Sequence, residues 1–163
     1  MPEAPNLAER ARASTKQQFV VENRGYYLVM AERAERMGIG FETMVMPANR
    51  KSTAPTAQTY EIMPVQKAPG NPYPDRISVG RARNCDVVLR DPSVSKLHAH
   101  FRRRDDEKLE LVDLGSQNGT RINSRLLVPH QPESVSASDQ LVFGGVNAKL
   151  VDADQLYELL TAK

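Results

Sequence analysis

The side chains of Arg81, Ser95 and Lys96 form a pattern suited to binding a doubly charged phosphate group. Arg81 supplies a planar guanidinium that matches phosphate oxygens, Ser95 supplies a hydroxyl donor, and Lys96 supplies a point charge. Further along the chain, Asn118 carries an amide and precedes Gly119, a residue type that tolerates left-handed backbone geometry. Together these residues predict a neutral-to-positive cradle for one anion. Such a cradle needs no nucleophile, general base or metal ligand.

Simpler interpretations of the same residue types stay open. Arg81 could belong to a surface ion pair, and Ser95 could be an ordinary turn hydroxyl that bonds to nearby backbone. His98 and His100 alternate with apolar residues at strand spacing, and Cys85 is the only soft ligand available to join them. A structural zinc site takes four ligands, so this group does not predict one.

Asp86 and Asp91 raise the question of acid–base chemistry, since paired carboxylates are common groups for it. Both aspartates stand at the ends of strand candidates, where turn structure explains them, and no catalytic partner is evident. Cys85 enters a strand candidate and is most simply a small buried residue. The sequence therefore predicts a binding protein and not an enzyme, with no metal or other cofactor.

Composition narrows the class of protein further. The 163 residues carry 22 basic and 20 acidic side chains, a formal net charge of +2, whereas nucleic-acid binders usually show a larger or more clustered positive excess. No apolar run approaches the length of a membrane span, and the N-terminus lacks the basic start and apolar stretch of a secretory signal. A single cysteine cannot form an internal disulfide. These observations disfavour nucleic acid and membrane insertion, and they favour the cytoplasm.

The first third of the chain is predicted to be a helical extension followed by a linker. Residues 6–37 are rich in helix formers, and Asn6 with Glu9 three positions later is typical of a capping box. Residues 26–30 are apolar enough for either a helix or a strand, and periodicity does not decide between them. Residues 49–58 lack apolar bulk and are predicted to be an exposed linker.

From residue 59 onward, short apolar segments alternate with turn residues, which predicts an all-β sandwich. Residues 154–160 return to helical spacing and predict a short C-terminal helix. We therefore expect residues 1–58 to form a helical N-terminal extension and linker. Residues 59–163 are expected to form a mainly β sandwich of antiparallel strands with a C-terminal helix.

Three separated motifs carry a resemblance to a known family. They are Gly-Arg at residues 80–81, Ser-x-x-His at 95–98, and Leu-Gly-Ser-x-Asn-Gly-Thr at 114–120, and they agree in order and spacing. Over residues 59–152 the chain resembles the forkhead-associated (FHA) domain. The resemblance implies an FHA-like β-sandwich whose loops at one end bind phosphothreonine peptides. It also implies a phosphothreonine-containing protein as partner and a Ser/Thr kinase acting upstream.

The resemblance assigns roles to individual residues. Arg81 and Ser95 would contact the phosphate, helped by Lys96, which stands where the family often has a basic or amide residue. Asn118 would fix the peptide backbone, and Gln117 would line the threonine pocket. The family often has Thr or Arg at the position of Gln117, so the details of that pocket are not implied.

Further residues are implied to shape the loops without touching the ligand. Gly80 and Gly119 would permit the backbone turns, and His98 would hydrogen-bond within its loop and hold its shape. The chain departs from the family pattern at Ser138-Asp139, where Gly-Asp is common, which is a mild change at a turn.

The predicted function is that of a phosphothreonine-binding adaptor in Ser/Thr kinase signalling. The alternative is a phospho-independent structural or assembly protein that uses the sandwich and the N-terminal helices for protein contacts. A separate hypothesis concerns Thr53 and Thr56, which follow Arg50 and Lys51 in the linker. Phosphorylation of either threonine could create a ligand for the Arg81 site of the same chain or of a neighbouring molecule, and the alternative is an unmodified connector.

Overall fold

The computed structural model describes residues 6–31, 60–104 and 108–162, which form two stacked β-sheets with helices packed on one of them. Along the chain the elements are α1 (Leu7–Ala13), α2 (Lys16–Glu22), β1 (Tyr26–Ala31), β2 (Tyr60–Pro64), β3 (Arg76–Gly80), β4 (Val87–Val88), β5 (Ala99–Arg103), β6 (Leu109–Asp113), β7 (Thr120–Ile122), β8 (Arg125–Leu126), β9 (Glu133–Val135), β10 (Gln140–Phe143), β11 (Val146–Asp152) and α3 (Ala153–Thr161). The predicted mainly β class, the N-terminal helices and the short C-terminal helix are confirmed.

The two sheets enclose the main core. One sheet has six strands in the order β2-β1-β11-β10-β7-β8, and the other has five in the order β4-β3-β5-β6-β9. The paired strands run antiparallel except β3 and β4, which are parallel. Alternate residues of each strand point into the space between the sheets. There Phe101 and Phe143, from opposite sheets, meet edge to face with ring centroids 6.3 Å apart.

Strand β1 lies inside the six-stranded sheet, between β2 and β11, so the segment is a strand and not a helix. Leu28 and Met30 belong to the core between the sheets, whereas Tyr27 and Val29 pack against the helices. A strand buried on both faces is apolar at every position, so it lacks the alternation that marks a half-buried strand. The predicted boundary after residue 58 therefore assigns β1 to the N-terminal extension, whereas β1 lies in a sheet of the sandwich.

A second apolar cluster lies on the outer face of the six-stranded sheet, where α1, α2 and α3 pack. Phe19 of α2 is fully buried and meets Tyr157 of α3 with ring centroids 5.5 Å apart. Lys16 joins the same two helices through ion pairs with Asp154 and Glu158. The C-terminal helix therefore packs on the N-terminal helices as well as on the sheet.

Both N-terminal helices begin at a capping side chain. Asn6 accepts a hydrogen bond from the backbone N–H of Ala8 at 3.0 Å. The two-way capping box, expected between Asn6 and Glu9, is found instead at α2, between Thr15 and Gln18. These caps give defined starts to helices of only seven residues each, which packing must otherwise stabilise.

Within the described ranges, no helix is long and apolar enough to span a membrane. The predicted linker, residues 49–58, lies outside the described residues, and so do Thr53 and Thr56.

Candidate phosphate-binding site

Four connections between strands meet at one end of the sandwich. The register brings the end of β3 to the start of β5, because Val79 pairs with Ala99, and Ala99 also pairs with Asp113 at the end of β6. In the other sheet, Phe143 at the end of β10 pairs with Thr120 at the start of β7. We call these four connections the loop end, and they comprise residues 81–86, 89–98, 114–119 and 144–145.

The Arg81 guanidinium is oriented by the neighbouring loop. The Arg81 backbone N–H donates to the carbonyl of Ser95 at 3.0 Å, and its Nε donates to the carbonyl of Val94 at 3.0 Å. The residue is exposed, and neither Nη nitrogen has a partner among the residues that the structure describes. Arg81 therefore has one edge of its guanidinium fixed and its terminal donors available for an anion.

The Ser95 hydroxyl is placed to act as a donor. Its Oγ accepts a hydrogen bond from the backbone N–H of Gln117 at 3.0 Å, and no acceptor for its own proton lies within the described part of the chain. The neighbouring Lys96 is exposed, and its ammonium also lacks a partner among the described side chains. The bond from Arg81 to the Ser95 carbonyl thus brings a guanidinium, a hydroxyl and an ammonium onto adjacent loops.

Asn118 joins two loops at the edge of this group. Its Nδ2 donates to the carbonyl of Ser93 at 2.8 Å, which leaves its Oδ1 to accept from a ligand backbone. The Ser93 hydroxyl accepts from the backbone N–H of Gly145 at 2.8 Å and donates to Asp91 at 2.6 Å. Gln117 precedes Asn118 with its side chain exposed. These bonds hold the connections 89–98, 114–119 and 144–145 in one arrangement.

His98 is fully buried beneath the site and connects two of its loops. Its Nδ1 accepts from the backbone N–H of Ser95 at 3.1 Å, so Nε2 carries the proton and donates to the carbonyl of Gly119 at 3.0 Å. Burial lowers the pKa of His98 below its usual value, although the Gly119 carbonyl and the charge of Asp113 oppose this. A neutral imidazole in this tautomer fits the predicted role of holding the loop.

Asp113 is a structural residue of the site that sequence analysis did not single out. Its carboxylate is almost fully buried and accepts from the backbone N–H groups of Gly115 and Ser116 at 3.0 and 3.2 Å. The hydroxyls of Ser116 and Thr120 also donate to it. Burial alone would raise the pKa of Asp113, but these hydrogen bonds outweigh it and the net shift is downward. An Asp followed two and three residues later by Gly and Ser is a turn signal that could have indicated this role.

The two glycines predicted to shape the loops have different surroundings. A Cβ on Gly80 would lie 2.2 Å from the carbonyl oxygen of Lys96, so the 95–98 segment can approach β3 only because that atom is absent. Gly119 has a φ of +83°, in the left-handed region that favours glycine. The first glycine therefore permits close packing of two loops and the second permits a turn.

The remaining candidates have structural surroundings. Asp86 has a fully buried side chain and forms an ion pair with Lys67 at 2.7 Å, while Asp91 binds Ser93 within its own turn. Burial alone would raise the pKa of Asp86, but hydrogen bonds led by that of Lys67 hold it far below its usual range. Cys85 is buried, and burial raises the pKa of its thiol. Within the described residues, no group of three or more His, Cys, Asp and Glu is placed to hold a metal ion.

Comparison with known proteins shows what this part of the chain is similar to. Residues 77–144 match the family described as FHA domain. An oxoglutarate dehydrogenase inhibitor of Corynebacterium diphtheriae is 40% identical over 67 residues, which cover 41% of this chain and 44% of that protein. The DNA damage response protein kinase DUN1 of Saccharomyces cerevisiae is 36% identical over 73 residues, covering 41% of this chain and 14% of the kinase. The chain thus spans less than half the length of these curated relatives.

A solved structure shows the same fold at lower sequence identity. The solution structure of an FHA domain from an Arabidopsis thaliana hypothetical protein superposes with a TM-score of 0.51 and 20% identity. The superposition covers 80% of this chain and 86% of that domain. The likeness therefore extends beyond the matched residues 77–144 to most of the sandwich.

Proposed function

We propose that residues 77–144, which match the family described as FHA domain, act as a forkhead-associated domain whose loop end binds phosphothreonine segments of partner proteins. The protein would act as an adaptor in Ser/Thr kinase signalling. A kinase upstream would add the phosphate, and this chain would recognise it. A phosphothreonine carries roughly −1.5 to −2 charge at neutral pH and three acceptor oxygens, so its recognition requires donors and positive charge.

The observation that carries this proposal is the position of Arg81 relative to Ser95. The two residues come from different connections and are joined by the 3.0 Å hydrogen bond between Arg81 N and Ser95 O. Their free donors therefore lie at one place on the surface, with the Lys96 ammonium next to them. His98 is neutral and adds no charge to the site. Of the predicted site residues, Arg81 and Lys96 therefore supply the positive charge. We assign Arg81, Ser95 and Lys96 to the phosphate.

The remaining predicted residues would act on the peptide and on the loops. Asn118 would accept from a peptide backbone N–H at its Oδ1, since its Nδ2 already binds Ser93. Gln117 would line the pocket for the threonine methyl group, beside Asn118. Gly80, His98 and Gly119 would keep the three loops in register, as their contacts within the chain support.

This assignment describes a binding or regulatory module and not a catalyst. The names of two relatives agree with this assignment. One relative is named for inhibiting an enzyme, and the other is a protein kinase of which the matched part is only 14% of the length. The near-balanced charge gives no support to nucleic acid as a partner. We propose the cytoplasm as the place of action, because a kinase with access to ATP must supply the phosphothreonine.

The phospho-independent alternative would use the N-terminal helices for contacts with other proteins. Most of their apolar surface is already occupied within the chain, because Ala11 and Phe19 are fully buried against Leu156 and its neighbours in α3, although Val21 is 60% exposed. The helices therefore offer little apolar surface to a partner. This observation favours the phosphate-dependent function.

A peptide titration distinguishes the phosphate-dependent function from the phospho-independent alternative. We would measure binding of a degenerate phosphothreonine library, its unphosphorylated counterpart and a phosphoserine library to the whole chain. Binding of the phosphothreonine library alone is expected. Equal binding of the unphosphorylated library, or no binding of any library, would contradict the proposed function.

A further inference from the structure

A groove of about 550 Å³ lies on the outer face of the five-stranded sheet, beside the loop end. Ser78 and His100, paired across β3 and β5, lie in it on the face that points away from the core. Tyr73 and Leu97 also line it, and they are 66% and 54% exposed. Lys96 lines the groove as well, so the groove begins where the proposed phosphate site ends.

The loop of residues 67–73 forms one wall of the groove and is fixed to the sheet by the buried carboxylate of Asp86. In addition to Lys67, this carboxylate accepts from the backbone N–H of Ala68 at 2.7 Å and from Asn71 Nδ2 at 2.8 Å. The backbone N–H and hydroxyl of Ser78 donate to it at 2.8 and 3.0 Å. A wall held in this way keeps its shape without a ligand, and a preformed groove loses little conformational entropy on binding.

Tyr73 stands in this wall in a strained backbone conformation. Its φ is +64°, in the left-handed region that bulky residues rarely adopt. The ring is not used by the core, and the Arg76 guanidinium lies 5.9 Å from its centroid. Strained residues concentrate at functional sites, and exposed apolar groups at the edge of a cleft mark contact surfaces. The ring of Tyr73 is therefore placed for a partner.

The charge of the groove indicates the chemistry of that partner. Every charged residue that lines it within the described chain is basic. Lys67 is neutralised by Asp86, and Lys96 is assigned to the phosphate. Arg76 is paired, among the described residues, only with the exposed Asp75 at 3.8 Å, so it is the cation that remains to attract a second anion.

We propose that this groove binds the part of the phosphothreonine partner that continues from the phosphothreonine, through an apolar side chain between Tyr73 and Leu97 and a carboxylate beside Arg76. The inference rests on the proposed function, which supplies the anchor at Arg81 and Ser95. Because an extended peptide advances about 3.3 Å per residue in one direction, the contacts fall on one side of the phosphothreonine. The loop end then recognises the phosphate, and the groove selects among phosphorylated partners.

The test uses three degenerate peptide libraries around a fixed phosphothreonine, bound to the whole chain. One library is short, and the other two are extended on the N-terminal or on the C-terminal side. Selection is expected to enrich Leu, Ile, Met or Phe beside Asp or Glu at fixed positions in one extended library only. A synthetic peptide with that extension should bind at least about fivefold tighter than the short peptide, as burial of one apolar side chain allows.

Variants of the chain attribute this gain to the groove. Leu97→Ser and Tyr73→Ser should remove the gain and leave binding of the short peptide unchanged. Val128→Ser is the matched control, because Val128 is also 54% exposed and does not line the groove. If neither extension is selected, or if Leu97→Ser and Val128→Ser bind the extended peptide equally, the groove proposal is wrong although the proposed function stands. If the short phosphothreonine peptide does not bind, both fail.

Discussion

The backbone N–H of Ser95 donates to Nδ1 of His98 at 3.1 Å, so the hydroxyl proposed to touch phosphate is positioned by a ring that does not reach the surface. On its other side, the same ring donates to Gly119 at 3.0 Å, next to Asn118. One buried side chain thereby sets the distance between the two loops that carry the proposed ligand contacts.

Removal of the Arg81 guanidinium should weaken phosphothreonine binding without unfolding the protein. Charge-assisted hydrogen bonds contribute about 1.5–3 kcal/mol each, so Arg81→Ala should lower the affinity at least tenfold. Fluorescence anisotropy with a phosphothreonine peptide measures this effect. Arg83→Ala is the control, because Arg83 is exposed in the same connection. An equal loss of peptide affinity in both variants would show that Arg81 contributes only general positive charge and not a specific contact with the phosphate.

Ser95 and His98 should differ in their effects on stability. Ser95→Ala removes one exposed acceptor for Gln117 and should change the free energy of unfolding by less than about 1 kcal/mol, while the peptide affinity falls severalfold. His98→Ala leaves a cavity and two unpaired backbone groups, and it should lose about 2–4 kcal/mol of stability together with affinity. Urea unfolding and peptide titration measure the two effects. A large stability loss in Ser95→Ala with none in His98→Ala would reverse these roles.

Stability should fall as the solution becomes acidic. The pKa of His98 is lowered in the folded chain, so between that value and the usual 6.5 the unfolded chain binds more protons. The contribution of neutral His98 is therefore complete above about pH 6.5 and is lost as the pH falls from there. The pKa of His100 is shifted in the same direction, and the buried aspartates titrate only below 3.8.

Urea midpoints between about pH 7.5 and pH 5 measure this slope in the parent chain and in His100→Gln, which isolates the contribution of His98. Peptide affinity is a poor measure here, because the second ionisation of the phosphate also lies near pH 6. A midpoint that stays constant or rises on acidification would show that His98 accepts a proton in the folded state.

Gly80 should not tolerate a methyl group. The added Cβ of Gly80→Ala would lie 2.2 and 2.9 Å from the carbonyl oxygen and carbon of Lys96, and backbone atoms cannot rotate away. We expect a loss of about 2–3 kcal/mol and weaker peptide binding, because the 95–98 segment must move. Gly145→Ala is a milder control, since its Cβ would meet the hydroxyl of Ser93 at 3.1 Å, and a side chain can turn. If Gly80→Ala and Gly145→Ala lower the melting temperature equally, this explanation is wrong.

Phosphorylation at Thr53 should reduce binding of an outside phosphopeptide. Ala31 and Tyr60 stand on either side of residues 32–59, and they are paired neighbours in the sheet. Ala31 lies toward the start of β11, beside the loop end. At about 3.3 Å per residue, seven positions from Thr53 to Tyr60 span up to about 23 Å, enough to cross several strands spaced about 4.8 Å apart. Semisynthetic protein phosphorylated at Thr53 tests this, with phosphorylation at the nearer Thr56 as the charge-matched control. Unchanged affinity and no new dimer would leave residues 49–58 as a plain linker.

The motifs predicted much of the site because each names a loop that follows a strand. Gly80 ends β3, Ser95 stands four residues before β5, and Asn118 stands two residues before β7. A sandwich that brings those strand ends together therefore also brings the residues together. Contacts between distant segments could not be predicted in this way. The bonds from Lys67 and Asn71 to Asp86 join positions 19 and 15 residues apart, and no local pattern marks them.

The fold was predictable in class but not at its N-terminal boundary. Short alternating strands after residue 59 indicated a sandwich, because one face of most of these strands is solvated. Strand β1 gave no such signal, since Tyr27 and Val29 are covered by helices while Leu28 and Met30 are covered by the other sheet. Which layer lies over a strand is a property of the whole chain, and the residues of that strand do not encode it.

The place of β1 next to β11 also has a kinetic consequence. Tyr26 pairs with Asp152, so this pairing joins segments more than about 120 residues apart, and contacts of such long range slow folding. During synthesis at about 5–20 residues per second, β1 emerges several seconds before its partner exists. Until residues 146–152 leave the ribosome, Leu28 and Met30 have no completed sheet to enter, and that interval is when the nascent chain is most exposed to aggregation.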